Sequence, residues 1–345
     1  FLLRAWELLD KPSPFWIVEM GAADGQLGRD ILDYFKRLEF PSKPEFKYMA
    51  VDRAKHSSAD YHIKDGIPHI LAADIPLSDI TGCFISNELL DAFPVHRFEK
   101  KDRTSHEIYV TLDVDNNFTE ILDAPSTPEL EALISEIAAR LPERARWEIN
   151  PGISAWTAQV SATLKKGFVL TIDYGDLARN LYTPDRSSGT LATYYQHVQV
   201  GSPYQRIGRQ DITAHIDFSS LMSQGSKNGL QALGLMTQTE FLQQFGLDQF
   251  IQRLRQLRLS AREAQENIAG MRELIKPGGL GDFKVLIQEK KTDIARLELF
   301  FELHTTLRDL PSHQLPVPLL SPDHMSLVAA RYPHATWQPD AYDMP

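Results

Sequence analysis

Phe15-Trp16-Ile17-Val18-Glu19-Met20-Gly21-Ala22-Ala23-Asp24-Gly25 is the stretch that decides the fold. Lys11-Pro12-Ser13-Pro14 breaks whatever precedes it, and residues 15–20 then read as a short buried strand. Gly21 and Gly25 bracket a tight turn, because glycine lets the backbone bend sharply and approach a ligand closely. Residues 26–38 carry apolar side chains at Leu27, Ile31, Leu32 and Phe35, the spacing of one helix face. Strand, glycine turn and helix together form a unit whose helix N-terminus suits a polar or anionic ligand.

Downstream the pattern repeats. Residues 46–51 read as a strand ending at Asp52, residues 69–73 as one ending at Asp74, and residues 83–86 as one ending at Asn87-Glu88. Four strands alternating with helices or loops predict an α/β fold with a mostly parallel sheet. Residues 95–99, 107–112 and 118–122 then look like a small antiparallel β-meander, followed by helices at 128–140 and 152–164. Residues 167–173 are an apolar strand between a glycine and an acid, where the α/β pattern resumes. Residues 174–228 show little periodicity, and a loop of that length in a compact domain is usually functional or disordered. A helical stretch at 238–275 stops at Lys276-Pro277-Gly278-Gly279; a last strand at 283–288, a helix at 293–310 and a proline- and histidine-bearing tail close the chain.

The expected organisation is a core first part at 1–92 carrying the glycine turn, and an inserted meander and helix at 93–144. The core continues at 145–176, an acceptor-cleft loop and helical insertion occupies 177–275, a closing strand 276–290, and a helix and tail 291–345. Residues 1–9 already look like the middle of a helix, and the first residue is Phe1, so the natural N-terminus, with any targeting peptide, is expected to lie upstream.

Composition narrows the function classes. The 345 residues are 43% hydrophobic and 24% charged, ordinary for a globular protein. A formal net charge of -10 opposes nucleic acid as a partner, although a local basic patch such as Arg253, Arg255, Arg258 and Arg262 is compatible with one; the bland reading of that run is a solvated helix face. No apolar run approaches the length of a membrane span. Cys83 is the single cysteine, so no intrachain disulfide forms, and a reducing compartment is the natural reading. The histidines lack zinc-ligand spacing, and no metal is expected.

The glycine turn departs from the dinucleotide pattern G-x-G-x-x-G, and no Gly-Lys-Ser/Thr follows for a P-loop. An acid two residues before the first glycine, Glu19, fits S-adenosylmethionine better, near its methionine moiety. Asp52 at the end of the second strand suits two ribose hydroxyls, and Asp74 the adenine amino group. Gly21, Asp24 and Gly25 form the turn itself, and Asn87 faces the cofactor or fixes the next turn. Capping and ordinary turn roles for Glu19, Asp52 and Asp74 stay open at this stage.

The segment Asn87-Glu88-Leu89-Leu90-Asp91-Ala92-Phe93-Pro94-Val95 resembles the Asn-Glu-x-x-Asp-Ala-x-Pro-Val motif of the MidA-like methyltransferases. Ile172-Asp173-Tyr174-Gly175, the segment 208–218 with Thr213-Ala214-His215-Ile216-Asp217-Phe218, and the segment 281–286 resemble further family signatures. The resemblance covers roughly residues 15 to 290. It implies a class I methyltransferase Rossmann-like sheet, S-adenosyl-L-methionine as cofactor, and, by likeness to the eukaryotic complex I assembly factors, methylation of an arginine on a partner protein such as a respiratory complex I subunit. The implied compartment is the cytoplasm for a bacterial chain and the mitochondrial matrix for a eukaryotic one. In the first turn the family usually has Gly-Pro-Gly-Arg-Gly, where this chain has Gly-Ala-Ala-Asp-Gly, and the tail after Lys291 has no family counterpart.

A guanidinium is a poor nucleophile, and paired carboxylates can grip two of its nitrogens while the third faces the methyl carbon. Glu88 and Asp91 are the leading substrate-side acids, with Glu148 in reserve. Asp173 and Tyr174 are expected to line the same cleft. His215 and Asp217 are read as a hydrogen-bonded pair ordering the long loop, with His215 also a candidate proton acceptor. Two rivals remain: an NAD-dependent oxidoreductase, and a cofactor-binding assembly factor that acts by holding its partner.

Overall fold

The computed structural model describes residues 1–38, 45–53, 60–64, 66–72, 74–195, 198–292, 315–320 and 324. The expected helix at 293–310 and most of the tail lie outside the described residues.

An eight-stranded sheet forms the centre. Its strands are β1 (Phe15–Met20), β2 (Phe46–Arg53), β3 (Asp60–Lys64), β4 (Ile67–Ala72), β5 (Ile80–Asn87), β6 (Leu164–Asp173), β7 (Gln231–Thr237) and β8 (Lys284–Lys290). Their order across the sheet is β7-β8-β6-β5-β1-β2-β4-β3. β4, β2, β1, β5 and β6 run parallel to one another, while β8 is antiparallel to both β6 and β7, and β3 is an antiparallel edge on β4. Beginning at β1 the chain builds outward to β2 and β4 on one side and then returns to place β5 on the other. That makes β1/β5 the switch point, and open α/β sheets bind ligands outside the carboxyl ends of the strands there.

The apolar runs in these strands follow from burial on both faces. Ile17, Cys83, Ile85, Phe168, Leu170, Val285 and Ile287 enter one core with Trp6 of the helix Leu2–Leu8 and Phe241. Their alternates Val18, Phe84, Val169 and Leu286 enter the other, with Ile153, Trp156 and Val160 of the helix Gly152–Thr163 and Phe218 and Leu221 of the helix Phe218–Lys227.

The expected meander is present, and it gains a fourth strand. The sheet order is Phe118–Asp123, Thr104–Leu112, His96–Lys101 and Arg146–Ile149. The helix Pro128–Ala138 packs Leu130, Ile134 and Ala138 on Phe98 and Trp147. Arg146–Ile149 was expected in the resumed core; it belongs instead to the inserted sheet, antiparallel to His96–Lys101. A second difference lies at β7, within the expected helical insertion, which pairs with β8 in the central sheet. The expected helical stretch at 238–275 is three helices, Gln238–Gln244, Leu247–Leu254 and Ala261–Glu273, the first and third opened by capping boxes at Thr237 and Ser260. Among the described residues no helix is long and apolar enough to cross a membrane.

Candidate active site

The carboxyl ends of β1, β2 and β5 finish level with one another. Met20 lies opposite Val51 and Ser86, so the next residues along, Gly21, Asp52 and Asn87, stand side by side. This is the switch point of the sheet, and it holds most of the expected cofactor residues.

Gly21 (φ 74°) and Gly25 (φ 77°) both have left-handed backbone, which a side chain rarely adopts. A Cβ at Gly21 would also meet Leu89 Cδ1 at 2.8 Å, so the turn after β1 packs directly on the turn after β5. The Asp24 carboxylate accepts from the Gln26 amide (3.1 Å) at the start of the helix Gln26–Lys36, and its carbonyl oxygen accepts from Arg29 Nη1 (2.7 Å). Asp24 therefore shapes the turn, and its carboxylate carries a capping role there.

Glu19 is 5% exposed, beneath the turn, and accepts from the Tyr48 hydroxyl at 2.7 Å. Burial pushes its pKa up to about 7; the Tyr48 hydrogen bond opposes this, and Asp52 and Asp24 add to it. Asp52 pairs through Oδ2 with Nε2 of the buried His69 at 2.6 Å. Asp74, on the exposed loop after β4, accepts from Gln159 Nε2 at 2.6 Å. Tyr48 and His69 were not anticipated. Each is a polar residue inside an otherwise apolar strand, facing an acid on the neighbouring strand, and that pattern was the available signal.

The fit to S-adenosylmethionine rests on these features: a two-glycine cradle at the switch point, a strand-end carboxylate on β2 braced by histidine, and a buried acid under the turn. The alanines of Gly-Ala-Ala-Asp-Gly are accommodated, Ala23 itself taking a left-handed φ of 51°.

The turn after β5 is assembled from distant segments. Glu88 has a left-handed φ of 49°, unusual for a residue with a side chain and costing on the order of 1 kcal/mol. Its amide donates to the Ile172 carbonyl (2.9 Å), and its Oε2 accepts from the Tyr174 hydroxyl (3.0 Å). Asp91 is 4% exposed, and its Oδ1 has no hydrogen-bond partner among the described residues. Burial, then the charge of Glu88, pushes its pKa up to about 6. Asn87 is exposed and directs Nδ2 toward Glu88 Oε1 at 3.4 Å.

Asp173 differs from expectation. It is fully buried, and its Oδ2 accepts from the amides of Leu90 (2.9 Å) and Asp91 (3.3 Å), its Oδ1 from that of Tyr174 (2.8 Å). It holds the 88–91 turn from below instead of lining the cleft. Burial, then Asp91, raises its pKa well above the usual carboxylate range.

The expected His215–Asp217 pair does not form. Asp217 caps the helix Phe218–Lys227, accepting from the amides of Ser219 (2.9 Å) and Ser220 (3.1 Å). His215 is exposed; its ring stacks near Tyr174 (centroids 6.4 Å apart), with Nδ1 3.5 Å from Arg186 Nη1. Partial removal of the ring from water, then the Arg186 charge, lowers its pKa. Glu148, 8% exposed, accepts through Oε2 from the amide (2.8 Å) and hydroxyl (3.0 Å) of Thr190. Among the described residues no three His, Cys, Asp or Glu side chains gather as metal ligands.

Comparison with known proteins agrees with this geometry. The mitochondrial protein arginine methyltransferase NDUFAF7 homolog of Caenorhabditis elegans is 30% identical over 209 residues, 60% of this chain and 47% of that protein. The mouse protein arginine methyltransferase NDUFAF7, also mitochondrial, is 26% identical over 316 residues, 82% of this chain and 68% of that protein. The chain thus spans about half the length of the nematode relative and about two thirds of the mouse one. A crystal structure of a methyl transferase candidate from Burkholderia thailandensis, bound to S-adenosyl-homocysteine, superposes with a TM-score of 0.72 at 25% identity, covering 87% of this chain and 76% of that one. S-adenosylmethionine is accordingly the cofactor that this site is built for. A family profile matches residues 1–236, and the chain belongs to the family it describes, "Putative S-adenosyl-L-methionine-dependent methyltransferase".

Proposed function

We propose that the protein methylates an arginine side chain of a partner protein. The observation that carries this reading is the 88–91 turn: a buried Asp91 with an uncommitted Oδ1 and a Glu88 braced by Tyr174, both beside the Gly21 turn. Bound S-adenosylmethionine supplies an electrophilic methyl group on sulfur. The chain's own residues orient the acceptor. Carboxylates at Glu88 and Asp91 would hold a guanidinium by charge-assisted hydrogen bonds, each worth roughly 1.5–3 kcal/mol. The resulting alignment of nitrogen with methyl carbon lowers the barrier by supplying in advance the orientation that such a displacement needs. A carboxylate with a pKa near 6 could also take, from a nitrogen that it holds, the proton that the guanidinium sheds on methylation near neutral pH.

The arginine acceptor is supported by the names of the curated relatives. A respiratory complex I subunit remains the candidate partner that the family resemblance suggests, with the mitochondrial matrix as compartment if the source is eukaryotic. Incubating cell extract with the protein and radiolabelled S-adenosylmethionine, followed by mass spectrometry of labelled proteins, tests the proposal. Methylarginine on a defined protein is expected. Label on another residue type overturns the arginine reading. Calorimetric binding of NAD without binding of S-adenosylhomocysteine overturns the methyltransferase reading.

A further inference from the structure

We infer that Glu148 and Thr190 are positioning residues that set the acceptor wall against Asp91 through a continuous polar chain; the inference rests on the methyl-transfer reading above. Glu148 stands on the inserted sheet, far in sequence from Asp91, Thr190, Ala214 and His215. Its Oε2 takes both the amide and the hydroxyl hydrogen of Thr190. The Thr190 Oγ1, having donated its hydrogen, accepts from the His215 amide at 3.1 Å. The adjacent Ala214 amide donates to the Asp91 carbonyl at 3.0 Å. From the other direction Asn150, two residues past Glu148, donates through Nδ2 to the Leu90 carbonyl at 3.0 Å. The strand Arg146–Ile149 thus reaches the 88–91 turn by two routes, one through the long loop and one direct.

Two features indicate that this arrangement is demanding and specific. Glu148 is more than nine-tenths buried, and its Oε1 has no hydrogen-bond partner among the described residues, in a small cavity bordered by Tyr182, Arg186, Thr190 and His215. Burying a carboxylate oxygen unpaired is costly, so its retention calls for a function elsewhere in the group. Gly189 (φ 77°) lies so close to Oε1 that a Cβ there would collide with the carboxylate, so the loop passes directly over Glu148. The hydroxyl of Thr190 is the joint of the chain: it both donates to Glu148 and accepts from His215.

The test uses Thr190→Val, which keeps the shape and removes the hydroxyl, Thr190→Ser, which keeps the hydroxyl, and Glu148→Ala. Radiolabel transfer from S-adenosylmethionine to extract protein is measured as an initial rate, with S-adenosylhomocysteine affinity by calorimetry and amide hydrogen exchange at Ala214 and His215. Thr190→Val and Glu148→Ala are expected to slow transfer about tenfold and to speed exchange at these amides by a similar factor, the effect of losing one buried hydrogen bond. S-adenosylhomocysteine affinity should stay within about twofold, and Thr190→Ser should restore both the rate and the protection. Transfer at the wild-type rate in Thr190→Val overturns the inference, as does a Thr190→Ser variant as slow as Thr190→Val. Absence of any transfer by the wild-type protein overturns instead the methyl-transfer reading, and with it this assignment, even where the exchange rates shift as expected.

Discussion

The two turns that meet at Gly21 and Leu89 are built on opposite principles. The turn proposed for the cofactor, residues 21–25, is local: its left-handed glycines, the capping carboxylate of Asp24 and the Arg29 side chain that braces it all lie within nine residues. The turn proposed for the acceptor, residues 87–91, is held from afar, by Asp173 beneath it, Tyr174 beside it, Asn150 just past the inserted sheet and Ala214 from the long loop. A turn that stabilises itself can serve one invariant ligand across many chemistries. A turn whose shape is dictated by insertions changes with them, and the insertions can therefore set which acceptor is used. The separation is incomplete, since Leu89 packs on Gly21 and links the two.

The sharpest way to break this division is at the point of contact. Gly21→Val introduces a β-branched side chain at φ 74° and drives it into Leu89. Strain of that kind costs roughly 1–3 kcal/mol before the clash is counted. S-adenosylhomocysteine affinity is expected to fall on the order of a hundredfold or more, with far-ultraviolet circular dichroism unchanged. Calorimetry giving wild-type affinity for a folded variant would mean that the cofactor does not approach this turn.

Charge removal on the acceptor turn should separate the two functions. Glu88→Gln and Asp91→Asn preserve shape, so S-adenosylhomocysteine should bind nearly as before, while methyl transfer drops about ten- to a hundredfold in each. The pH profile sharpens the assignment. Asp91 must be ionised to grip a guanidinium, and its pKa is pushed up to about 6. Transfer should therefore fall as pH drops through about 6, by about tenfold per unit below it. A flat wild-type profile between pH 5 and 7, or an unaltered acid limb in Asp91→Asn, would remove Asp91 from this role.

The smallest effect concerns stability beneath the cofactor turn. Burial raises the folded-state pKa of Glu19 to about 7, above its unfolded value. The folded protein then holds a proton that the unfolded chain has released, so stability declines as pH rises from about 4.5 to 7, and the full cost is present above that. Glu19→Gln keeps an acceptor for Tyr48 and avoids the buried charge. Its melting temperature relative to wild type should be higher at pH 8 than at pH 4, by an amount corresponding to roughly 1–3 kcal/mol. A pH-independent difference would show that the pKa of Glu19 is the same in the folded and the unfolded protein.

The same contrast explains what could be read in the sequence. β1, β5 and β6 announce themselves as apolar runs between a breaker and an acid, and the glycine turn is contiguous. The juxtaposition of Gly21, Asp52 and Asn87 followed from strand ends, because parallel strands of matched register bring consecutive strand ends together. Arg146–Ile149 and β7 escaped because short strands are defined by partners distant in sequence: His96–Lys101 for the first, and for the second β8, beyond three intervening helices. Asp173 was legible as a strand-end acid but not as a buried brace, since its role depends on amides 82 and 83 residues away. His215 and Asp217 looked like a pair because two residues of separation place side chains together on a strand. Asp217 opens a helix instead, and the helix takes its carboxylate.

The place of β8 has a bearing on how the chain acquires its structure. Gly167 on β6 pairs with Lys290, and β7 reaches the sheet only through β8. During synthesis β1 to β5 can associate as each emerges, but β6 keeps an open edge until well over a hundred further residues have been made. Pairings of such long range form slowly, and an exposed apolar strand edge invites association with other chains in the meantime. A nascent chain of this protein thus carries this open edge over one interval, from the emergence of residue 173 to that of residue 290.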